Sequence, residues 1–238
     1  MTADRPASAG GVLLPRSYLT LDANHRGVRA ALIDVQLMHR LIMTGWRQAD
    51  SPQPGIRAEL AILYALDLTT SGTVRVVTQA AVEPHWQLAP GTTTEAPVAR
   101  QHFAPLDGAI EFQLTAAPTR NLPPVPNITP GRRARGRRVP LPTDEHLAWG
   151  KNVLTRRAGL TVRELTISNI SRLDSATKSL PPDERPIHAA VFAHTTVTYH
   201  GVAEITDPDT HCHALIHGIG RAKSWGCGLL LTRPYARD

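Results

Sequence analysis

HGIGRAKSWGCGLLL, residues 217–231, joins a glycine-rich, cationic loop directly to an apolar strand. Four glycines within residues 218–228 allow positive φ angles and a close approach of the backbone to a bulky partner. Arg221 and Lys223 add two cations, and the backbone amides add donors, so we expect an anionic ligand, with phosphate the best fit. The alternative interpretation is a structural turn in front of an edge strand.

The order of elements around this loop excludes the two common nucleotide-binding loops. A dinucleotide fingerprint or a P-loop follows a strand and opens a helix, whereas this loop follows a predicted helix and opens a strand. Position 222 is also Ala, where a P-loop requires Gly before its Lys.

The rest of the chain reads as two similar units. The first has a strand at 12–21, a helix at 34–48, strands at 58–66 and 73–79, a short helical piece at 84–88 and a strand at 98–103. We predict an α+β fold of two tandem ferredoxin-like βαββαβ domains. Residues 1–10 form a flexible leader, residues 11–106 the N-terminal domain and residues 107–238 the C-terminal domain.

The sequence patterns that mark strands and helix ends are clearer in the second unit. Its first strand alternates the apolar Ile110, Phe112 and Leu114 with polar residues, and the proline-rich stretch 118–130 is a loop. A helix follows, with Thr143 as its N-cap and Gly159 at its end. Strands at 162–170 and 187–200 come next. The last elements are a helix capped by Asp207, with Pro208 in its first turn and Gly218 at its end, and a strand at 229–232.

Composition favours a polyanionic partner. The formal net charge is +6 and the sequence pI is about 9.9, as expected of a nucleic-acid-binding chain. The only cysteines, Cys212 and Cys227, cannot form a disulfide framework, which suits a reducing cytoplasm. No apolar run of about 18 residues is present to span a membrane, and residues 1–10 lack the apolar core of a signal peptide.

The stretch GIGRAKSWGCGLL, residues 218–230, closely resembles the C-terminal signature of the RAMP superfamily. More narrowly, it resembles that of the CasE branch, the repeat-processing endoribonucleases of type I-E CRISPR systems. FQLTAAPTR at 112–120 is similar to a family strand that ends in a basic turn, although Ala117 replaces the usual Asn and Thr115 the usual Arg. RVPL at 138–141, followed by Ala148-Trp149, also looks like a family segment. The resemblance extends from about Val12 and implies two ferredoxin-like domains.

The resemblance also implies a catalytic histidine. DVQLMHR at 34–40 is similar to the family's N-terminal helix, which makes His39 the catalytic candidate. Helical geometry places His39 off the stripe formed by Leu37 and Leu41, and a histidine can transfer protons near neutral pH. The family often has Tyr three residues earlier, where this chain has Gln36. Because Gln forms hydrogen bonds but barely transfers protons, His39 would carry more of the chemistry.

Other basic residues are expected to hold RNA. Five arginines occupy seven positions at 132–138, as either a solvated segment or an arm that clamps phosphates. A hairpin that lies along the RNA stem in the family contributes Arg172 and Lys178, and Arg40 lies beside His39. The complete predicted RNA-binding set is Arg40, Arg132, Arg133, Arg135, Arg137, Arg138, Arg172, Lys178, Gly218, Gly220, Arg221 and Lys223.

His211, Cys212, His213 and His217 suggest a metal site, but no third ligand has matching spacing and no Glu could act as a base. Histidines on a helix surface near a phosphate loop are the preferred interpretation, and no metal or cofactor is expected.

The resemblance therefore implies a metal-independent endoribonuclease. It would cut precursor CRISPR RNA at the base of the repeat hairpin and retain the guide RNA as a subunit of a Cascade surveillance complex. The alternative is a catalytically silent RAMP subunit that only binds guide RNA. The expected partners are the repeat hairpin RNA and other Cascade subunits, with no membrane, and the free protein is expected to be a monomer.

Overall fold

The computed structural model describes residues 10–46, 55–68, 72–123, 138–174 and 193–236. These residues form two four-stranded antiparallel sheets, each carrying helices, and a small two-stranded ribbon. The first module contains β1 (Gly11–Asp22), α1 (Arg26–Ile33), α2 (Val35–Met43), α3 (Ile56–Glu59), β2 (Leu63–Leu68), β3 (Thr73–Gln79) and β4 (Val98–Pro105). The second contains β5 (Ala109–Ala116), β6 (Thr119–Asn121), β7 (Arg138–Pro140), α4 (His146–Ala158), β8 (Leu160–Asp174), β9 (Ala193–Ile205), α5 (Pro208–His217) and β10 (Leu230–Pro234).

Both sheets have the strand order of a ferredoxin-like unit. The orders are β2-β3-β1-β4 and β10-β5-β9-β8, while β6 and β7 form the separate ribbon. In each main sheet the fourth strand of the unit lies beside the first, and the first lies beside the third. The predicted α+β fold with two tandem ferredoxin-like modules is therefore confirmed.

The first module departs from the prediction at its helices. The predicted helix at 34–48 is preceded by a further helix, α1, and the two are separated at Asp34. The Asp34 carboxylate accepts a hydrogen bond from the Gln36 backbone N–H at 2.9 Å and so begins α2. After Met43 the chain tightens into a 3-10 turn, Thr44–Trp46. The predicted strand at 58–66 is also too early, because α3 occupies its start and β2 begins at Leu63.

The helical piece predicted at 84–88 is wrong. Residues 80–97, all of them described, contain no helix. The Trp86 indole packs edge-on against Trp46, with ring centroids 5.6 Å apart, and its Nε1 donates to Ser17 Oγ at 2.9 Å. These contacts hold the segment extended across the sheet where the second helix of the unit was expected.

The second module follows the prediction more closely. The Asp207 carboxylate accepts from the Thr210 backbone N–H at 3.0 Å, Pro208 lies in the first turn, and Gly218 ends α5. Gly159 ends α4 in the left-handed conformation. Thr143 is not the N-cap of α4, because it begins a separate 3-10 turn, Thr143–Glu145, in front of that helix. Of the predicted strand at 187–200, residues 187–192 lie outside the described residues, as do residues 1–9 of the predicted leader.

The two modules share buried contacts. Leu14 and Ala104, from strands of the first module, pack into the hydrophobic core of the second. Arg16 is only 4% exposed; its Nε donates to Gln79 Oε1 at 3.1 Å and its Nη2 to the Leu230 carbonyl at 3.4 Å. Gln79 Nε2 in turn donates to the Leu215 carbonyl at 2.6 Å. Burial lowers the pKa of the Arg16 guanidinium.

Among the described residues, no helix combines the length and the apolar character needed to cross a bilayer.

Candidate functional site

The glycine-rich loop, residues 218–228, closes on itself between α5 and β10. The Ile219 backbone N–H donates to the Gly228 carbonyl at 2.8 Å. Gly218 has φ of +71°, and a Cβ there would lie 2.8 Å from the Gly228 carbonyl oxygen and from the Leu63 side chain. Gly220 has φ of +78° with open space around it. Only glycine fits at position 218, where the two ends of the loop meet. At position 220 the backbone is exposed and can contact a ligand.

Ala222, at the centre of the loop, adopts the left-handed conformation with φ of +55°. Its carbonyl accepts from the Trp225 backbone N–H at 2.8 Å and from the Cys227 backbone N–H at 3.3 Å. These bonds form the 3-10 turn Lys223–Trp225. Because a non-glycine residue rarely adopts this conformation, such strain is typical of functional loops. The sequence alone did not reveal it.

The loop of the second module rests on the first module. Tyr64, from β2, is buried, and its hydroxyl donates to the Ser224 carbonyl at 2.8 Å. The turn Lys223–Trp225 also packs against α2, the helix that carries His39. The structure therefore brings together the two sequence features predicted to act on RNA, the glycine-rich loop and the histidine helix.

His39 is half-buried on α2, and its Nδ1 is buried without a hydrogen-bond partner among the described residues. Burial lowers the pKa of His39, and the nearby charge of Arg57 lowers it further. The imidazole is therefore neutral at pH 7 and able to accept a proton. Gln36 lies exposed one turn earlier on the same helix, and Arg40 is exposed in its last turn.

Arg57 is a further candidate site residue, and no sequence motif singled it out. It lies on α3, and its Nη1 donates to the Ile62 carbonyl at 3.4 Å. Lys223 donates from Nζ to the His217 carbonyl at 2.7 Å, at the end of α5. Burial lowers the pKa of Lys223, and the charges of Arg57 and Arg157 lower it further. Because Arg57 influences both His39 and Lys223, residues from three distant parts of the sequence share one electropositive environment.

On the other side of the loop, a cleft of about 400 Å³ lies between the loop, α4 and the ribbon of β6 and β7. We call it the arginine cleft. The loop contributes Gly220 and Arg221 to its lining, and both belong to the predicted RNA-binding set. The other polar and aromatic residues that line it are Thr119, Asn121, Arg138, Trp149, Asn152, Arg156 and Arg157.

Three of the cleft arginines lack the carboxylate partners that some arginines elsewhere on the surface have. Arg120, Arg163 and Arg233 form ion pairs with Glu145, Glu204 and Glu111, respectively. Within the described part of the chain, Arg156, Arg157 and Arg221 form no ion pair. Arg156 and Arg157 lie in the last turn of α4, where their charges also favour the helix dipole. Their position beside the loop depends on how α4 packs.

The remaining predicted RNA-binding residues are only partly described. Arg172 is exposed on β8 and lies opposite Thr195 of β9. The neighbouring His194 contacts the ring of Trp225, with centroids 4.6 Å apart, which brings this end of the β8–β9 hairpin to the glycine-rich loop. Five residues of the predicted set lie outside the described residues: Lys178, Arg132, Arg133, Arg135 and Arg137.

The histidines of α5 do not form a ligand set. His211 is buried, and its Nδ1 donates to the Ala158 carbonyl at 3.0 Å. His213 and His217 contact each other, with ring centroids 4.5 Å apart. Among the described residues, no three metal-ligating side chains cluster together.

Comparison with known proteins gives a consistent family and fold. A family model described as "CRISPR associated protein" matches residues 16–234. The fold is similar to that of Thermus thermophilus Cse3 bound to an RNA representing a pre-cleavage complex, with a TM-score of 0.71, 22% identity, and coverage of 94% of this chain and 100% of that chain. It is also similar to Cas6e from Escherichia coli str. K-12, with a TM-score of 0.55, 19% identity, and coverage of 93% and 100%.

A chain of a CRISPR RNA-guided surveillance complex gives a TM-score of 0.56 at 21% identity, with coverage of 93% of this chain and 100% of that chain. No curated protein matches the sequence. At these identities the structural likeness establishes a shared fold.

Proposed function

Since this chain belongs to the CRISPR associated protein family, we propose that it is a CasE-type endoribonuclease that cuts CRISPR repeat RNA at the base of its hairpin. The observation that carries the proposal is the position of His39. This neutral, half-buried histidine lies on a helix that packs against a strained, glycine-rich cationic loop. Thermus thermophilus Cse3, which shares the fold, was solved with an RNA representing a pre-cleavage complex.

The proposed reaction uses the nucleophile that RNA itself provides. His39 accepts the proton of a 2′-hydroxyl, and the 2′-oxygen attacks the adjacent phosphorus. The bond from phosphorus to the 5′-oxygen then breaks, and that oxygen takes a proton from solvent water and leaves as a hydroxyl. The products are a 2′,3′-cyclic phosphate and a 5′-hydroxyl. Arg57 and Lys223 supply positive charge for the negative charge that develops on the phosphoryl oxygens.

Gln36 limits the proton transfer that this site can perform. Its exposed amide can orient the 2′-hydroxyl or a phosphate oxygen through hydrogen bonds, but it cannot exchange a proton at neutral pH. His39 is then the one proton-transfer group that we assign, and a slow reaction is expected. A slow reaction suits an enzyme that keeps its product.

Retention of the product follows from where the cut lies. A cut at the foot of the stem leaves the stem and nearly all its phosphate contacts on the protein, so little binding energy is lost. A retained guide RNA would make this protein a subunit of a Cascade-like complex. The similarity of its fold to a chain of an RNA-guided surveillance complex supports that role.

The test is cleavage of the cognate repeat RNA by purified protein in EDTA, at protein excess. We expect cleavage without metal, and we expect His39→Ala to lower the rate by about 100-fold or more while RNA affinity stays within a few-fold. His85→Ala, which removes an exposed histidine outside the site, is the matched control and should cleave normally. End-group analysis should find the cyclic phosphate or its 3′-phosphate product, and the 5′-hydroxyl.

Two outcomes would contradict the assignment: full activity of His39→Ala, or complete inhibition by EDTA. A third outcome, tight RNA binding by the unaltered protein with no cleavage, would instead identify a catalytically silent guide-RNA-binding subunit. The replacement of the family Tyr by Gln36 is the feature that favours this second candidate.

A further inference from the structure

We propose that the arginine cleft binds one unpaired nucleotide that flanks the RNA stem, with Trp149 against its base and the arginines on its phosphates. This inference rests on the proposed function, because it assumes that the ligand is RNA. It goes beyond that function by assigning a nucleotide subsite to α4, the ribbon of β6 and β7, and the edge of the glycine-rich loop.

The charge of the cleft requires an anionic ligand. Among the described residues, four arginines line it, namely Arg138, Arg156, Arg157 and Arg221, and no carboxylate does. Clustered guanidinium groups repel one another, and here the described residues supply no acidic partner for Arg156, Arg157 or Arg221. Guanidinium groups match phosphate in shape and in hydrogen-bonding geometry, so successive phosphates of a backbone would neutralise them.

The cleft also contains an aromatic side chain that phosphate binding alone would not require. Trp149 is half-buried, and its ring stacks on Tyr199, with centroids 6.3 Å apart and an angle of 28° between the planes. The Tyr199 hydroxyl donates to the His146 carbonyl at 3.0 Å, which fixes Tyr199 under the indole. A tryptophan held in this way forms a rigid platform, and stacking on such a platform is a common means of holding an exposed base.

Two amides accompany the indole. Asn152 lies three residues after Trp149 on α4 and is exposed to the cleft, so both groups of its amide are available. Asn121 accepts from Arg138 Nε at 2.8 Å through Oδ1, which fixes its orientation and leaves its Nδ2 free to donate. Amides present both a donor and an acceptor, which is the pattern needed to read the edge of a base.

The nucleotide must be unpaired. In a duplex, stacking covers the faces of a base and pairing occupies its edge, so only an unstacked base can reach both the indole and the amides. The cleft volume of about 400 Å³ lies in the range of small-molecule sites, about 300–1,000 Å³. Because Arg221 and Lys223 belong to the same short loop, this nucleotide would lie close to the phosphate that the 2′-oxygen attacks beside His39.

The experiment measures the affinity of the full-length protein for two RNAs by fluorescence anisotropy. One RNA is the closed stem-loop alone, and the other carries unpaired nucleotides on both sides of the stem. We expect Asn152→Asp and Trp149→Leu to weaken binding of the flanked RNA by about 5-fold to 100-fold, the range of lost stacking or edge contacts. Their affinity for the bare stem-loop should change less than 2-fold.

Matched variants separate the subsite from folding effects. Trp149→Phe keeps an aromatic ring and should retain most of the affinity, while Lys151→Gln changes an exposed charge on α4 outside the cleft and should have no effect. Asn152 is exposed, so Asn152→Asp tests the proposal even if Trp149→Leu fails to fold. Equal losses on both RNAs, or no loss on either, would overturn the subsite. Failure of the unaltered protein to bind either RNA would instead contradict the proposed function.

Discussion

Replacing Arg156, Arg157 and Arg221 together by Gln should flatten the salt dependence of RNA binding. These three guanidinium groups line the arginine cleft and have no acidic partner in the described part of the chain. Each phosphate contact releases condensed counterions, so log K falls linearly with log salt, by about 0.7 per contact for single strands and about 0.9 for duplexes. Three lost contacts should flatten the slope by about 2 to 3.

This change in slope has a measurable consequence. Between 50 and 200 mM salt, the affinity of the unaltered protein should fall about 20-fold to 40-fold more than that of the triple variant. The measurement is an anisotropy titration of the flanked repeat RNA at four salt concentrations in that range. Binding should be weakest relative to the unaltered protein at the lowest salt, where the lost contacts contribute most.

A control of equal charge makes the result specific. Arg75, Arg163 and Arg233 are exposed and do not line the cleft, and two of them pair with glutamates. Their triple replacement by Gln lowers the net charge by the same amount, yet it should leave the slope within about 0.5 of the original. Equal slopes for the cleft variant and the unaltered protein would refute the assignment of phosphates to these arginines. The same flattening in the control would show that only net charge matters.

Two further predictions concern the loop and the histidine. Gly220→Val and Gly108→Val both place a β-branched residue at positive φ with no atom within 4 Å of the new Cβ, so both variants should lose similar stability. Only Gly220→Val should lose RNA affinity, and by more than the double replacement of Arg221 and Lys223 by Ala. Equal RNA affinities in the two Val variants would show that the loop is only a structural turn. Because the charge of Arg57 helps to lower the pKa of His39, Arg57→Gln should raise that pKa, although burial will still hold it below the ordinary value. The measurement is an NMR titration of His39 in the free protein. An unchanged pKa would show that Arg57 does not belong to the site.

The fold was largely predictable because its signals are local. The alternation of Ile110, Phe112 and Leu114 marks β5, and the Asp207 cap and the glycine at 218 set the two ends of α5. The first module was harder to predict because tertiary contacts override its local signals. Trp86 holds the segment 80–97 extended through its bond to Ser17, and no local pattern reveals that contact.

The candidate site also contains some residues that local sequence signals predict and others that only tertiary packing brings together. Gly220 and Arg221 stood out in the sequence because glycine and cations are concentrated in one short loop. Arg57, Arg156 and Arg157 did not stand out, since each lies in an ordinary helix, and its electrostatic role arises only where that helix meets the loop. Sequence motifs therefore predict the loop and the histidine helix as candidate site elements, while the cations around them emerge only from the packing.

The division of the site between two modules makes their relative orientation part of the chemistry. His39 belongs to the first module and the glycine-rich loop to the second, so in the proposed reaction a hinge motion between them would separate the proton acceptor from the phosphate-binding groups. The buried Arg16 guanidinium opposes such motion, because its bond to the Leu230 carbonyl crosses between the modules. Leaving a buried donor without its hydrogen-bond partner costs about 1–3 kcal/mol, and more when the donor is charged. The Tyr64 bond to Ser224 adds a second link directly beneath the loop. The site is thus held in place before RNA arrives, and electrostatic stabilisation of a transition state requires such fixed dipoles and charges.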